Sequence, residues 1–489
     1  MNDSASTPNV LVILTDQHRW DCLSVAGNPD VRTPNFDALA DDGVCYENSF
    51  SSSPLCVPSR YSLLTGLQPH QHLGAENRST LPAGLETFAS VMRDAGHSTA
   101  AVGKMHLYPT YLDVGFQRMV LAEQDGDGRL RDDYHRDLRE ADLLDYIDLM
   151  DQREEYRVSA PADYWSSFGS QTSNLPEQWH STTWITDRAL AELSSWTSGG
   201  NLLTVSYIKP HHPFDPPAPW DELYNPDELT ILPGWCEEIP TQDIETEGYF
   251  PNRRLTAPAL RGVMSNYYGS ISHVDHHIGR LVQYLKDREL YDKTLIVFTS
   301  DHGEYLGFHH LLLKHGHMYE PLVRVPLIIK YPSRERRGRD ERLVSGTDLL
   351  PTILGAVGLP SSNAGSGRDL SDRTWTREFV YAESESGEYM IRTETHKLIL
   401  HPEPSKSLLF DLVSDPLETN NLAHRPAERG RVLDLTHSLM NAVLFVDRPP
   451  THRDGLAREI DAVDPSVATE MNTYMRERFD KMIAGHARA

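Results

Sequence analysis

A chain of 489 residues exceeds what one hydrophobic core usually serves, so one large domain joined to a smaller one is the expected organisation. A hydrophobic content of 39% with dispersed charge fits a soluble globular protein, and a formal net charge of −25 argues against nucleic acid or an anionic membrane as partner. Cys22, Cys45, Cys56 and Cys236 are too few in so long a chain for a disulfide framework.

Met1 to Pro8 has no cationic stretch followed by a long apolar run, and the apolar residues 9–14 are only strand length. The expectation is a cytoplasmic chain with no membrane span. That first run stops at Thr15-Asp16-Gln17, as a buried central strand does when polar residues mark its C-terminal edge. Pro34–Ala40 reads as a helix closed by Gly43, and Leu85–Ala95 as another closed by Gly96. Thr99–Val102, Leu202–Ile208, Thr294–Thr299 and Val325–Ile329 are further core-strand candidates, and helical periodicity is strong over Leu260–Leu285. This alternation predicts an α/β fold, a large mixed and mostly parallel sheet sandwiched by helices. Ligands in such folds bind beyond the strand C-termini, and Asp16, Lys104, His211 and Asp301 all follow strand-like runs.

Residues 121–176 form an acidic, polar insertion of weak periodicity, including Asp125-Gly126-Asp127. From about Arg377 the pattern becomes antiparallel: Phe379–Tyr381, Tyr389–Arg392, Lys397–Leu400 and Leu408–Asp411, then a turn over Asp415–Leu422 into a helix. The expected division is a large α/β domain at 1–375, a C-terminal α+β subdomain with an antiparallel sheet at 376–448, and a charged helical tail at 449–489 able to pack on a neighbouring subunit.

The most informative stretch is Ser53-Pro54-Leu55-Cys56-Val57-Pro58-Ser59-Arg60-Tyr61-Ser62-Leu63-Leu64-Thr65-Gly66. Pro58 suits the first turn of a helix and Gly66 the left-handed position past its end. Cys56 then lies just before a short helix, where free N–H groups and the positive dipole end gather anions. Arg60, one turn in, can reach back to hold an oxyanion or a nucleophile oxygen. Alone, such a cysteine reads more simply as a buried, inert thiol.

The core Cys-x-Pro-Ser-Arg with its following Thr-Gly resembles the signature of type I sulfatases, within the alkaline-phosphatase-like superfamily. The resemblance implies that Cys56 is oxidised to formylglycine by a formylglycine-generating enzyme and that its hydrated aldehyde is the nucleophile. It also implies one divalent cation held by Asp16, Gln17, Asp301, His302 and an oxygen derived from Cys56. Many sulfatases carry Asp and Asn where this chain has Gln17 and His302. The Asp-Gln and Asp-His pairs also resemble bacterial phosphonate monoester hydrolases, and imidazole shifts the metal from Ca²⁺ toward Mn²⁺ without excluding Ca²⁺.

Gly103-Lys104-Met105-His106-Leu107 resembles the family's Gly-Lys-x-His-Leu run, which assigns sulfate binding to Lys104 and the nucleophile's second hydroxyl to His106. Pro210-His211-His212-Pro213-Phe214 and Lys314-His315-Gly316-His317-Met318-Tyr319-Glu320 resemble two further motifs. They place His211 and Lys314 at the leaving-group oxygen, with Asn77 on the substrate side. His309, His310, His315 and His317 read as satisfied structural histidines. The activity implied is hydrolysis of a small-molecule sulfate monoester, as in arylsulfatases. The alternatives are phosphonate monoester or phosphodiester hydrolysis on the same site, and a non-catalytic anion-binding homologue.

Overall fold

The computed structural model describes residues 7–124, 128–244, 249–314, 316–361 and 365–448; the expected tail at 449–489, Asp125-Gly126-Asp127 and His315 lie outside them. The larger sheet contains β1 (Asn9–Asp16), β2 (Val44–Phe50), β3 (Ser98–Gly103), β4 (Arg118–Leu121), β5 (Asn201–Pro210), β6 (Thr294–Ser300), β7 (Leu327–Lys330) and β8 (Gly338–Ser345). Its strand order is β4-β3-β5-β1-β6-β7-β2-β8. β7 runs antiparallel to both β6 and β2, and the other pairings are parallel.

β1 shows why the sheet is covered on both sides. Val10, Val12 and Leu14 join one core cluster, while Leu11 and Ile13 join the other, the period-two alternation of a strand. The Cys56–Thr65, Phe88–Asp94 and Leu349–Ala356 helices fill the first layer; the Pro34–Asp41, Ser181–Ser194 and Ala257–Asp287 helices fill the second. Each aliphatic side chain fully buried between these layers contributes about 1.5–3 kcal/mol relative to exposure.

The parallel register positions the site. Thr15 pairs with Ser300 and Gly103 with Ser206, so β1, β3, β5 and β6 end along one edge. Gly103 has φ 98°, and a Cβ there would collide with the Ser206 carbonyl, so glycine lets the chain leave β3 directly into Lys104.

The smaller sheet is an antiparallel meander of β9 (Phe379–Glu383), β10 (Tyr389–Thr393), β11 (His396–Leu400) and β12 (Leu408–Asp411). One face packs Val380, Met390, Ile399 and Phe410 against Phe50, Tyr319 and Leu322; the other packs Tyr381, Ile391 and Leu398 with Leu439 of the Arg429–Asn441 helix. Buried Lys397 pins this sheet to the chain near the site through Glu418 at 2.9 Å and Glu320 at 3.3 Å.

The expected fold class holds, with local differences. β2 and β8 escape sequence patterning because Glu47 and Asn48 interrupt one, and Arg339, Asp340, Glu341 and Arg342 dominate the edge strand β8. The helix expected from Leu85 starts at Phe88, since Thr87 caps it by accepting from Ser90 N. The insertion contains short helices at Asp133–Glu140, Tyr146–Gln152, Glu154–Arg157 and Ala162–Ser166. Among the described residues no helix is long and apolar enough to cross a membrane.

Candidate active site

Cys56 is the first residue of its helix rather than the residue before it. Leu55, the extended residue preceding it, offers no side-chain cap, so the first turn keeps open N–H groups. Asn77 fills one of these places: its Oδ1 accepts from Val57 N at 3.2 Å. The residue expected on the substrate side thus has its amide oxygen engaged in holding the start of the helix. Gly66 closes the helix at φ 67°, donating to Ser62 O, and every helix residue is buried.

The strand ends bring three ligating side chains to Cys56. One ligand atom from each of Asp16, Cys56, Asp301 and His302 lies within 4.8 Å of the others. Cys56 Sγ is 3.2 Å from His302 Nε2 and 3.7 Å from Asp16 Oδ1. His302 Nδ1 donates to Gly303 O at 2.9 Å, which leaves the Nε2 lone pair facing the cluster. Gln17 adopts a left-handed backbone at φ 63°, and its N–H donates to Asp301 Oδ1 at 3.1 Å. Its Nε2 donates to Glu304 Oε2, while Oε1 is buried with no hydrogen-bond partner. Two carboxylates, an imidazole nitrogen and the unpartnered amide oxygen of Gln17, next in sequence to Asp16, are donor types that suit a divalent cation.

Arg60 faces two carboxylates of the protein, where the nucleophile or a substrate oxyanion was expected. Four of the five N–H donors of a guanidinium are engaged by protein: Nε with Asp301 Oδ2 at 2.8 Å, Nη2 with Asp16 Oδ2 at 2.8 Å, and Nη1 with Lys104 O and Ser206 Oγ. It clamps the two carboxylates in place. Burial alone would push the Asp16 carboxyl up, but Lys104, His211 and Arg60 hold it well below the usual carboxylate range. Lys104 Nζ sits 2.8 Å from Asp16 Oδ2 and donates to Gln124 Oε1 at 2.9 Å. Burial opposes its charge, and Asp16 more than restores it.

Lys314 Nζ is the hub on the open side: 2.8 Å from Cys56 Sγ, 3.0 Å from His211 Nε2 and 3.2 Å from His302 Nε2. Even so, burial and Asp16 push the Cys56 thiol up to about 11, so the unmodified side chain is a poor nucleophile at neutral pH. His211 Nδ1 donates to the His212 carbonyl at 2.5 Å, leaving Nε2 to face Lys314 and, at 3.9 Å, Asp16. His106 has a left-handed backbone at φ 54°, and its N–H donates to Glu123 Oε1 at 2.9 Å. Its Nδ1 is buried without a partner, and burial with Lys104 nearby holds the ring well below its ordinary value. A cleft of about 820 Å³ reaches Lys314 and Leu55, lined also by Gln242, His317, Glu385 and Lys406.

Several partners escaped sequence reasoning. Gln124 and Asp151 come from the insertion; Asp151 Oδ2 pairs with His212 Nδ1 at 2.5 Å, and His212 stacks on His211 at 4.2 Å between centroids. No motif marks either residue. Glu304 had a signal, two residues beyond His302 in an acidic strand-end loop. His309, His310 and His317 are hydrogen-bonded to Asp243, the Cys236 carbonyl and Glu388, as structural histidines are.

Strand-end carboxylates thus surround a helix-start cysteine on a mixed sheet sandwiched by helices. The chain belongs to the sulfatase family: the family model described as Sulfatase matches residues 8–359, and one described as N-sulphoglucosamine sulphohydrolase, C-terminal, matches residues 307–443. It is 30% identical to an arylsulfatase of Clostridium perfringens over 87% of this chain and 92% of that one. It is 28% identical to the multifunctional alkaline phosphatase superfamily protein PehA of Trinickia caryophylli over 91% and 97% of the two chains. The fold matches that of the phosphonate monoester hydrolase of Agrobacterium radiobacter with a TM-score of 0.74 at 24% identity, covering 89% of this chain and 95% of that one.

Proposed function

We propose that this protein hydrolyses a sulfate monoester, with Cys56 converted by a formylglycine-generating enzyme into the nucleophile and one divalent cation, Ca²⁺ or Mn²⁺, beside it. The observation that carries the reading is the convergence of Asp16, Asp301, His302 and Lys314 on Cys56 at the start of a buried helix. Asp16, Gln17, Asp301, His302 and residue 56 would hold the cation, which supplies Lewis-acid polarisation and charge neutralisation when bound. Hydrated formylglycine at position 56 would supply two hydroxyls, one as nucleophile and one carrying a removable proton.

The remaining work falls to the chain. Lys104, held against Asp16, and Lys314, beside residue 56, supply positive charge to the non-bridging oxygens. His211, with Nδ1 fixed on a carbonyl, has Nε2 as the atom that exchanges a proton with the departing oxygen. His106, with Nδ1 unpartnered, is assigned the proton of the second hydroxyl. Arg60 keeps Asp16 and Asp301 at fixed separation, and Asn77 steadies the helix start. Residues 1–375 form the catalytic domain on this reading, and 376–448 the subdomain that carries one wall of the cleft.

A second reading, phosphonate monoester or phosphodiester hydrolysis, is favoured by Gln17 and His302 in the ligand set and by the likeness to the phosphonate hydrolase fold. Turnover of p-nitrophenyl sulfate against a phenyl phosphonate monoester separates the two. The sulfate reading expects kcat/KM higher on the sulfate by about tenfold or more, at least 1.4 kcal/mol in transition-state binding. The reverse order overturns it.

A further inference from the structure

The Ala257–Asp287 helix carries ligating side chains that the site above does not use. His273 and His277 lie one turn apart on it, facing the Ser181–Ser194 helix. Their Nε2 atoms are 3.0 Å apart, and Thr183 Oγ1 is 3.3 Å and 3.1 Å from them. Glu177 Oε1 approaches His273 Nε2 at 3.8 Å and accepts from Trp220 Nε1 at 2.9 Å. One ligand atom from each of Glu177, His273 and His277 falls within 4.8 Å of the others. Both rings are buried, and Trp220 stacks on His273 at 5.1 Å between centroids.

From this geometry we infer that Glu177, His273 and His277 form a binding site for a zinc-class divalent ion, separate from the Cys56 cluster. Two imidazole nitrogens and one carboxylate are a ligand set for zinc and its neighbours, whereas Ca²⁺ demands six to eight oxygens. An ion about 2.1 Å from each Nε2 fits between atoms 3.0 Å apart with small side-chain turns, and Thr183 or water completes a tetrahedron. The ion would tie the chain just past the polar insertion, at Glu177, to the Ala257–Asp287 helix. It is a structural site on this reading, and it does not rest on the sulfatase activity.

Arg280 supplies a distinctive test. Its Nη1 donates to His277 Nδ1 at 3.1 Å and its Nη2 to Asp187 Oδ1 at 2.8 Å. With Nδ1 accepting, the proton of neutral His277 sits on Nε2, the atom an ion needs bare. Metal binding therefore moves that proton to Nδ1 and displaces Arg280, whose side chain is partly exposed and keeps Asp187. Arg280 competes with the ion.

The experiment is equilibrium dialysis of the full chain against zinc chloride with calcium in excess, bound zinc being read by emission spectrometry. The wild type should hold one zinc equivalent more than a His273→Gln/His277→Gln variant. Glu177→Gln should weaken that equivalent by roughly tenfold or more, and Arg280→Ala should tighten it. Equal zinc in wild type and a double variant of native circular dichroism overturns the site. Should the double variant fail to fold, unchanged zinc affinity in both Glu177→Gln and Arg280→Ala, each altered at a solvent-reached side chain, overturns it as well.

Discussion

Arg60→Gln is expected to destabilise the ion-free protein by about 3–5 kcal/mol and to lower kcat/KM by about ten- to a hundredfold. The guanidinium joins two carboxylates that are both fully buried, Asp16 and Asp301, and reaches two further acceptors on neighbouring strands. Burial disfavours its charge, yet Asp301 and Asp16 keep it firmly protonated. Without it the two carboxylates keep only Lys104 in contact and Lys314 further off to compensate, and a buried charge that loses its partner is far costlier than the pair was favourable. Lysine is no substitute, because a point charge cannot span both oxygens at 2.8 Å as the planar fork does. A divalent cation at the same carboxylates should return part of the lost stability. Denaturant midpoints with and without the cation check this, and a variant as stable as wild type in its absence would contradict the clamp.

Cys56→Ser is expected to release alcohol equivalent to the enzyme in a single burst and then stop. Serine brings one oxygen to the start of the helix, within reach of Lys314, so attack on sulfur remains open. It lacks a second hydroxyl, and so nothing on residue 56 can expel the sulfate once His106 has no proton there to remove. Burst amplitude and the mass of the Cys56-region peptide after reaction measure the outcome. Sustained turnover at the wild-type rate would show that water attacks sulfur directly.

The parts of the site that sequence made legible are those where hydrophobic patterning breaks. The apolar runs of β1 and β6 stop at Asp16 and Asp301, and parallel pairing brings both ends to one edge. The Cys56 helix could be read from Pro58 and Gly66 because both act on backbone geometry within a few residues. Side-chain direction was harder. Arg60 was expected to reach the nucleophile, but its partners lie on β1 and past β6, and only the folded sheet puts two carboxylates within its reach. Asn77 turned out to brace the helix start for the same reason. Gln124 and Asp151 were illegible because the insertion has only weak periodicity, and their roles rest on contacts with Lys104 and His212 across many residues. The edge strand β8, rich in charge, offered no apolar alternation to detect.

The proposed mechanism depends on what residue 56 becomes. The most direct measurement is the mass of the peptide containing Cys56, taken from protein produced beside the maturation enzyme and assayed for turnover of a sulfate ester. The account predicts a peptide lighter by about 18 Da than the cysteine form, the thiol having given way to an aldehyde, in a fraction that tracks specific activity. Full activity with the cysteine mass unchanged would contradict it.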